Sequence, residues 1–177
     1  MKYTDARDKI KTGDMLLWRN HGGGPLRGII ERWIVAHGTA TPYTHVGVAW
    51  AEHGRVWVME ITTKGCAPRL LSELGSFDWA PCPQPLTNAA LEWAFGCFGE
   101  WEYSRWQAML GALKRLVIGA DNFGQCAEYA LSIWARDGMA PTDTATPGAC
   151  AEGAMRVWDV PITWVESARF LSQEVST

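Results

Sequence analysis

The sequence carries none of the common metal or cofactor signatures. It has no CxxC pair, no HExxH, and no second histidine at ligand spacing from a first, so a zinc site has little to build on. Neither GxGxxG nor GxxxxGK(S/T) occurs, and Gly22 to Gly24 run into Pro25 as a loop rather than a phosphate cradle. Charge of one sign is scarce: a net charge of -3 gives no electrostatic case for nucleic acid. No segment approaches the ~20 apolar residues of a membrane span, and MKYTDARDKIKTGD lacks the apolar stretch of a signal peptide. These absences predict a cytoplasmic protein with no transmembrane segment. The five cysteines are odd in number and widely spaced, so no disulfide framework is expected.

What is present is globular. A chain of 177 residues, with 47% hydrophobic and 20% charged residues, fits a single domain over 1–177 with a sizeable core. Eleven tryptophans are many for this length and either fill that core or line a cleft for an apolar group. TGDMLLW, residues 12 to 18, reads as a strand after a turn. Residues 25 to 38 have helical spacing, from Pro25 to a glycine stop at Gly38. His45 to Ala51 and RVWVMEI, residues 55 to 61, read as two strands joined by the turn EHG, an antiparallel hairpin. The four prolines between 63 and 86 predict mostly loop, with at best a short edge strand. Helices are expected over 88–98, capped by Thr87, over 104–117, and over 126–138, ending at Gly138. TPGACAEGAM has room for a short helix and VPITWVE for a last strand. The pattern is α+β, a small antiparallel sheet with helices segregated around it.

Three residues could do chemistry together. Cys126 follows a glycine-containing loop and opens a predicted helix, where the dipole and unpaired N–H groups favour thiolate and could hold an oxyanion. The plainer alternative is a buried cysteine on the inward face of an amphipathic helix. A thiol nucleophile needs a base, and the base an orienting group. In PYTHVGVAW, His45 opens one strand of the hairpin. Glu60 lies near the end of the other, on the face shared with Val56 and Val58. The two fall near the same open end if no bulge intervenes; read alone, His45 is a half-buried or surface structural residue and Glu60 an exposed strand-end charge. His21, His37 and His53 sit in a loop, at a helix end and at a turn. Cys66 and Cys82 read as loop residues, Cys97 as interior to a helix and Cys150 as part of an alanine-rich segment.

TGDMLLWR, THVGVAW, VWVMEI, GEWEYS, FGQCAEYALSIW and TPGACA, in that order, resemble the circularly permuted branch of the NlpC-type papain-like cysteine peptidases. This is the YiiX-like group, more distantly similar to the lecithin retinol acyltransferases. The resemblance runs over roughly residues 11 to 155, and the order His, Glu, Cys is that of the permuted branch. It implies a permuted papain-like fold, a small antiparallel sheet or half-barrel against helices. It also implies Cys126 as nucleophile, His45 as base and Glu60 as the group orienting His45. Tyr103 in GEWEYS would stand near the cysteine and help hold the substrate carbonyl or oxyanion, unless it is a helix-start aromatic packed on the core. The chain departs from the family pattern at Ala127, commonly serine, and at Ser104, often aspartate.

The expected activity is a cysteine hydrolase that cleaves an amide bond, in a peptide or amino-acid amide, through an acyl-enzyme. No metal or organic cofactor is needed. The same triad would serve a lipid acyltransferase or thiolesterase, so substrates range over small molecules, peptides and acyl lipids. A non-catalytic binding module of the same fold is the alternative from another class.

Overall fold

The computed structural model describes residues 1–19, 41–103 and 123–167. The helices expected over 25–38 and 104–117, the loop near Gly22, and His21 and His37 lie outside these residues.

Six strands form one antiparallel sheet. They are β1 (Met15–Arg19), β2 (Tyr43–Glu52), β3 (Arg55–Thr62), β4 (Gly65–Leu70), β5 (Phe77–Ala80) and β8 (Thr163–Val165). Their spatial order is β4-β3-β2-β1-β5-β8. A short parallel pair, β6 (Glu102–Tyr103) and β7 (Phe123–Gly124), forms a second sheet. The α-helices are α1 (Tyr3–Ala6), α2 (Asn88–Gly96), α3 (Cys126–Arg136) and α4 (Pro147–Gly153). The class is α+β, and among the described residues no helix is long and apolar enough to cross a membrane.

MLLW explains how the sheet carries two apolar faces. Successive side chains alternate sides, so Met15 and Leu17 join the core with α3, while Leu16 and Trp18 join a second cluster with Tyr3, Ala6 and Ile10. Across β2 and β3 the same split puts Val46, Val48, Met59 and Ile61 under the helices and Ala49, Val56 and Val58 on the other face. Each fully buried branched side chain contributes about 1.5–3 kcal/mol. Covering both faces accounts for the nearly continuous apolar strands.

Asp14 fixes the entry to β1. Its buried carboxylate accepts from Lys11 N (2.9 Å), Trp79 Nε1 (2.7 Å) and Cys82 N (2.8 Å). Beside it, the Gly13 carbonyl accepts from Trp134 Nε1 at 2.8 Å, which ties the sheet to α3. Gly13 has φ of 102°, a conformation that strains any side-chain-bearing residue. Thr87 caps α2 through Ala90 N, as expected from the sequence, and α3 runs out at Gly138, whose φ is 68°.

The proline-rich span is more ordered than its composition suggests. It holds both β4 and the inner strand β5, which pairs with β1 on one side and β8 on the other. β4 tolerates Pro68 because it is an edge strand, where a missing N–H can face away from the ladder. Pro81, Pro83 and Pro85 all follow β5, so they end the strand without interrupting it. Cys66 accordingly lies on β4 rather than in a loop, and Cys97 is the C-cap of α2 rather than interior to it.

Candidate functional site

His45 and Glu60 are brought together by the hairpin register. Ala49 pairs with Val58 and Glu52 with Arg55, with His53 and Gly54 at positive φ in the two-residue turn. Glu60 therefore falls level with Gly47, and His45 lies two residues beyond it on the same face. A side chain at Gly47 would overlap Val58 and crowd the Met59 carbonyl. A hydrogen bond joins Glu60 Oε2 to His45 Nε2. Glu60 is 1% exposed and the His45 side chain 23%.

The register of the hairpin is unbroken from Glu52 and Arg55 to Val48 and Met59, and a bulge occurs on the other side of β2. Trp18 pairs with His45 and Arg19 with Tyr43, so Thr44 is an extra residue directly before the histidine. Such an insertion twists the strand locally and re-aims neighbouring side chains. The Trp18 ring packs on the imidazole at 5.5 Å between centroids.

Cys126 is the first residue of α3, which packs against β2 and β3. The preceding residue, Gln125, makes no side-chain cap; its amide instead donates to Ala145 O at 2.6 Å, tethering the helix start to the loop before α4. The first N–H groups of α3 thus have no intrahelical acceptor and no cap from Gln125. Cys126 is 7% exposed and its thiol faces His45. With Nε2 engaged by Glu60, Nδ1 is the imidazole nitrogen left for the sulfur.

The electrostatics of the three groups are coupled. Burial pushes the Cys126 thiol up, but the adjacent His45 and the backbone N–H groups of Val46 and Ala127 outweigh it and leave the thiol below its ordinary value. Burial likewise opposes charge on His45, yet Cys126 and Glu60 together hold its proton and raise it. Glu60 is lowered: burial opposes its charge, and hydrogen bonds from His45 and Arg69 override that. The other four cysteines go the opposite way. Burial raises Cys66 to about 12 and Cys82 and Cys97 to about 11, and it raises Cys150 as well.

The chain is similar to a solved metalloprotein. The crystal structure of YiiX from Escherichia coli O157:H7 matches 89% of this chain and 97% of that chain, with 16% identity and a TM-score of 0.46. No family model and no curated protein matches the chain. Among the described residues, no group of three or more His, Cys, Asp or Glu side chains could hold a metal ion.

Tyr103 comes near the cysteine through its backbone. β6 pairs in parallel with β7, which sets Tyr103 against Gly124, two residues before Cys126. Its side chain lies outside the described residues. His53 is exposed at the hairpin turn, as its position in EHG implies. The sequence reading missed Arg69 on β4, whose Nε donates to Glu60 Oε1. The only signal for it was a basic residue after a proline-interrupted strand, and that says nothing about register.

Proposed function

We propose that the chain is a thiol hydrolase of circularly permuted papain-like architecture, cleaving an amide bond in a peptide or amino-acid amide through an acyl-enzyme. One observation carries the reading. Cys126 is the single cysteine whose thiol is lowered, and the group that lowers it is a histidine already held by a carboxylate.

In the proposed reaction, Cys126 Sγ attacks the substrate carbonyl and the C=O pair moves to oxygen. The N–H groups at the start of α3, that of Cys126 among them, face this developing charge. The tetrahedral adduct collapses, the C–N bond breaks, and His45 gives its Nδ1 proton to the leaving amine. Water then attacks the thioester, returns a proton to His45, and releases the acid and the thiolate. A second nucleophile in place of water would make the reaction acyl transfer.

The pH dependence follows from the two opposed shifts. Below the lowered thiol value, both Cys126 and His45 carry protons and no nucleophile exists. Above the raised imidazole value, the thiolate remains but His45 has no proton to give. Turnover is therefore bell-shaped, rising through the first and falling through the second.

Trapping the acyl-enzyme tests the reading. After incubation with an activated p-nitrophenyl acyl ester, intact-protein mass spectrometry should find one acyl group, and peptide mapping should find it on Cys126. A panel of peptides, amino-acid amides and acyl lipids then separates amidase from acyltransferase. Absence of any adduct, and of turnover across the panel, would leave the binding module in its place.

Glu60→Gln should reduce turnover by roughly ten- to a hundredfold, less than loss of Cys126 or His45. The amide keeps the shape of the carboxylate but offers one acceptor oxygen instead of two, and Arg69 competes with His45 for it. A variant with unchanged kcat would remove Glu60 from the site.

A further inference from the structure

Glu60 has a second partner that the proposed chemistry does not use. On β4, Ala67 stands opposite Glu60 and Arg69 opposite Val58, so Arg69 lies diagonally from Glu60 on the same sheet face. Its Nε donates to Oε1, while Oε2 serves His45. Each carboxylate oxygen thus has one charged or chargeable partner. The Arg69 side chain is 50% exposed and Glu60 only 1%. A guanidinium in contact with solvent keeps its charge at little cost and delivers it to a carboxylate that has no solvent of its own. Among the described residues β4 is the last strand at its edge of the sheet, so no further strand there covers this guanidinium.

We propose that Arg69 is a positioning residue: from the edge strand it keeps the Glu60 carboxylate ionised and aimed at His45, and acts on Cys126 only through them. The inference rests on the reading of Cys126 as nucleophile and His45 as its base. A carboxylate buried beside an imidazole alone would have reason to take up a proton. That would weaken its hold on Nε2 and remove the charge that stabilises the imidazolium, leaving the ring less firmly aimed at the thiol.

Among the described residues, few charged groups surround this network, and one of them is the buried Glu128, two residues after Cys126 on α3. Glu60 is met by His45 from β2 and by Arg69 and Cys66 from β4, and Cys126 by His45 and by Cys150 from α4. Burial raises both extra thiols, Cys66 to about 12, so neither changes charge near neutral pH. Without the Arg69 cation an ionised Glu60 is no longer neutralised from the β4 side, and its charge then disfavours a second negative charge at Cys126. If Glu60 takes a proton instead, His45 loses the partner that holds its charge. Both routes disfavour thiolate, so the acid limb of Cys126 reactivity moves to higher pH.

The test is the rate of iodoacetamide alkylation at Cys126 against pH, with thermal midpoints recorded alongside. In Arg69→Ala and Arg69→Gln the rate at a given pH on the acid limb of the profile should fall roughly three- to tenfold, the partial exposure of Arg69 keeping the effect moderate. Arg69→Lys, which keeps the charge, should recover most of it. A purely structural role would lower the thermal midpoint and leave the profile in place. If Arg69→Ala does not fold, the comparison of Arg69→Gln with Arg69→Lys decides, since both keep an extended polar side chain and differ in charge. Profiles of the Gln and Lys variants that both superpose on wild type would overturn the inference and leave the nucleophile assignment standing. A wild-type Cys126 that is inert at low pH would overturn both.

Discussion

Cys126→Ser should abolish turnover, by a factor of about a thousand or more, and leave the fold in place. The substitution changes one atom. The cost is chemical: a serine hydroxyl does not ionise near neutral pH, so the ion pair with His45 is gone and the remaining nucleophile is weak. The site itself stays assembled. Val46 and Ala127 still present their N–H groups toward the side chain, and Glu60 still holds Nε2 of His45. Far-UV circular dichroism and the thermal midpoint should stay close to wild type. Steady-state assay on whichever substrate of the panel is turned over checks the first part. A variant with full activity would remove Cys126 from the mechanism altogether.

His45→Ala should be nearly as severe, about a hundred- to ten-thousandfold in kcat, because two roles vanish together. The first is the proton for the leaving amine. The second is the charge that holds Cys126 as thiolate. With that cation absent, burial dominates the thiol as it does at the other four cysteines, and Cys126 should titrate at or above the ~8.5 of a free thiol. Raising the pH should therefore restore alkylation of Cys126 in this variant but not turnover, since no group replaces the acid. Recovery of turnover at high pH would mean that His45 serves only to ionise the thiol.

Local signals made much of this arrangement legible in the sequence. The hairpin followed from the EHG turn and the alternation on either side. Period two then put Glu60 on a defined face near the end that His45 opens. The start of α3 was marked by a glycine loop before Cys126 and its end by Gly138. What escaped were features set by partners distant in the chain. β5 is an inner strand of only four residues, FDWA, and the prolines around it hid it. The role of Arg69 depends on the register of β3 against β4, which no local pattern encodes. The bulge at Thr44 depends on β1, and it lies directly beside the histidine. Asp14 was visible only as part of a turn, although it gathers donors from Lys11, Trp79 and Cys82.

Whether His45 makes Cys126 a thiolate is the point on which the proposed chemistry stands. The most direct measurement is the pH dependence of iodoacetamide alkylation at each of the five cysteines, resolved by peptide mass spectrometry, in wild type and His45→Ala. Cys126 alone should react well below the free-thiol value of ~8.5, and the variant should lose this reactivity. Five thiols that titrate alike, or a Cys126 that stays inert, would contradict it.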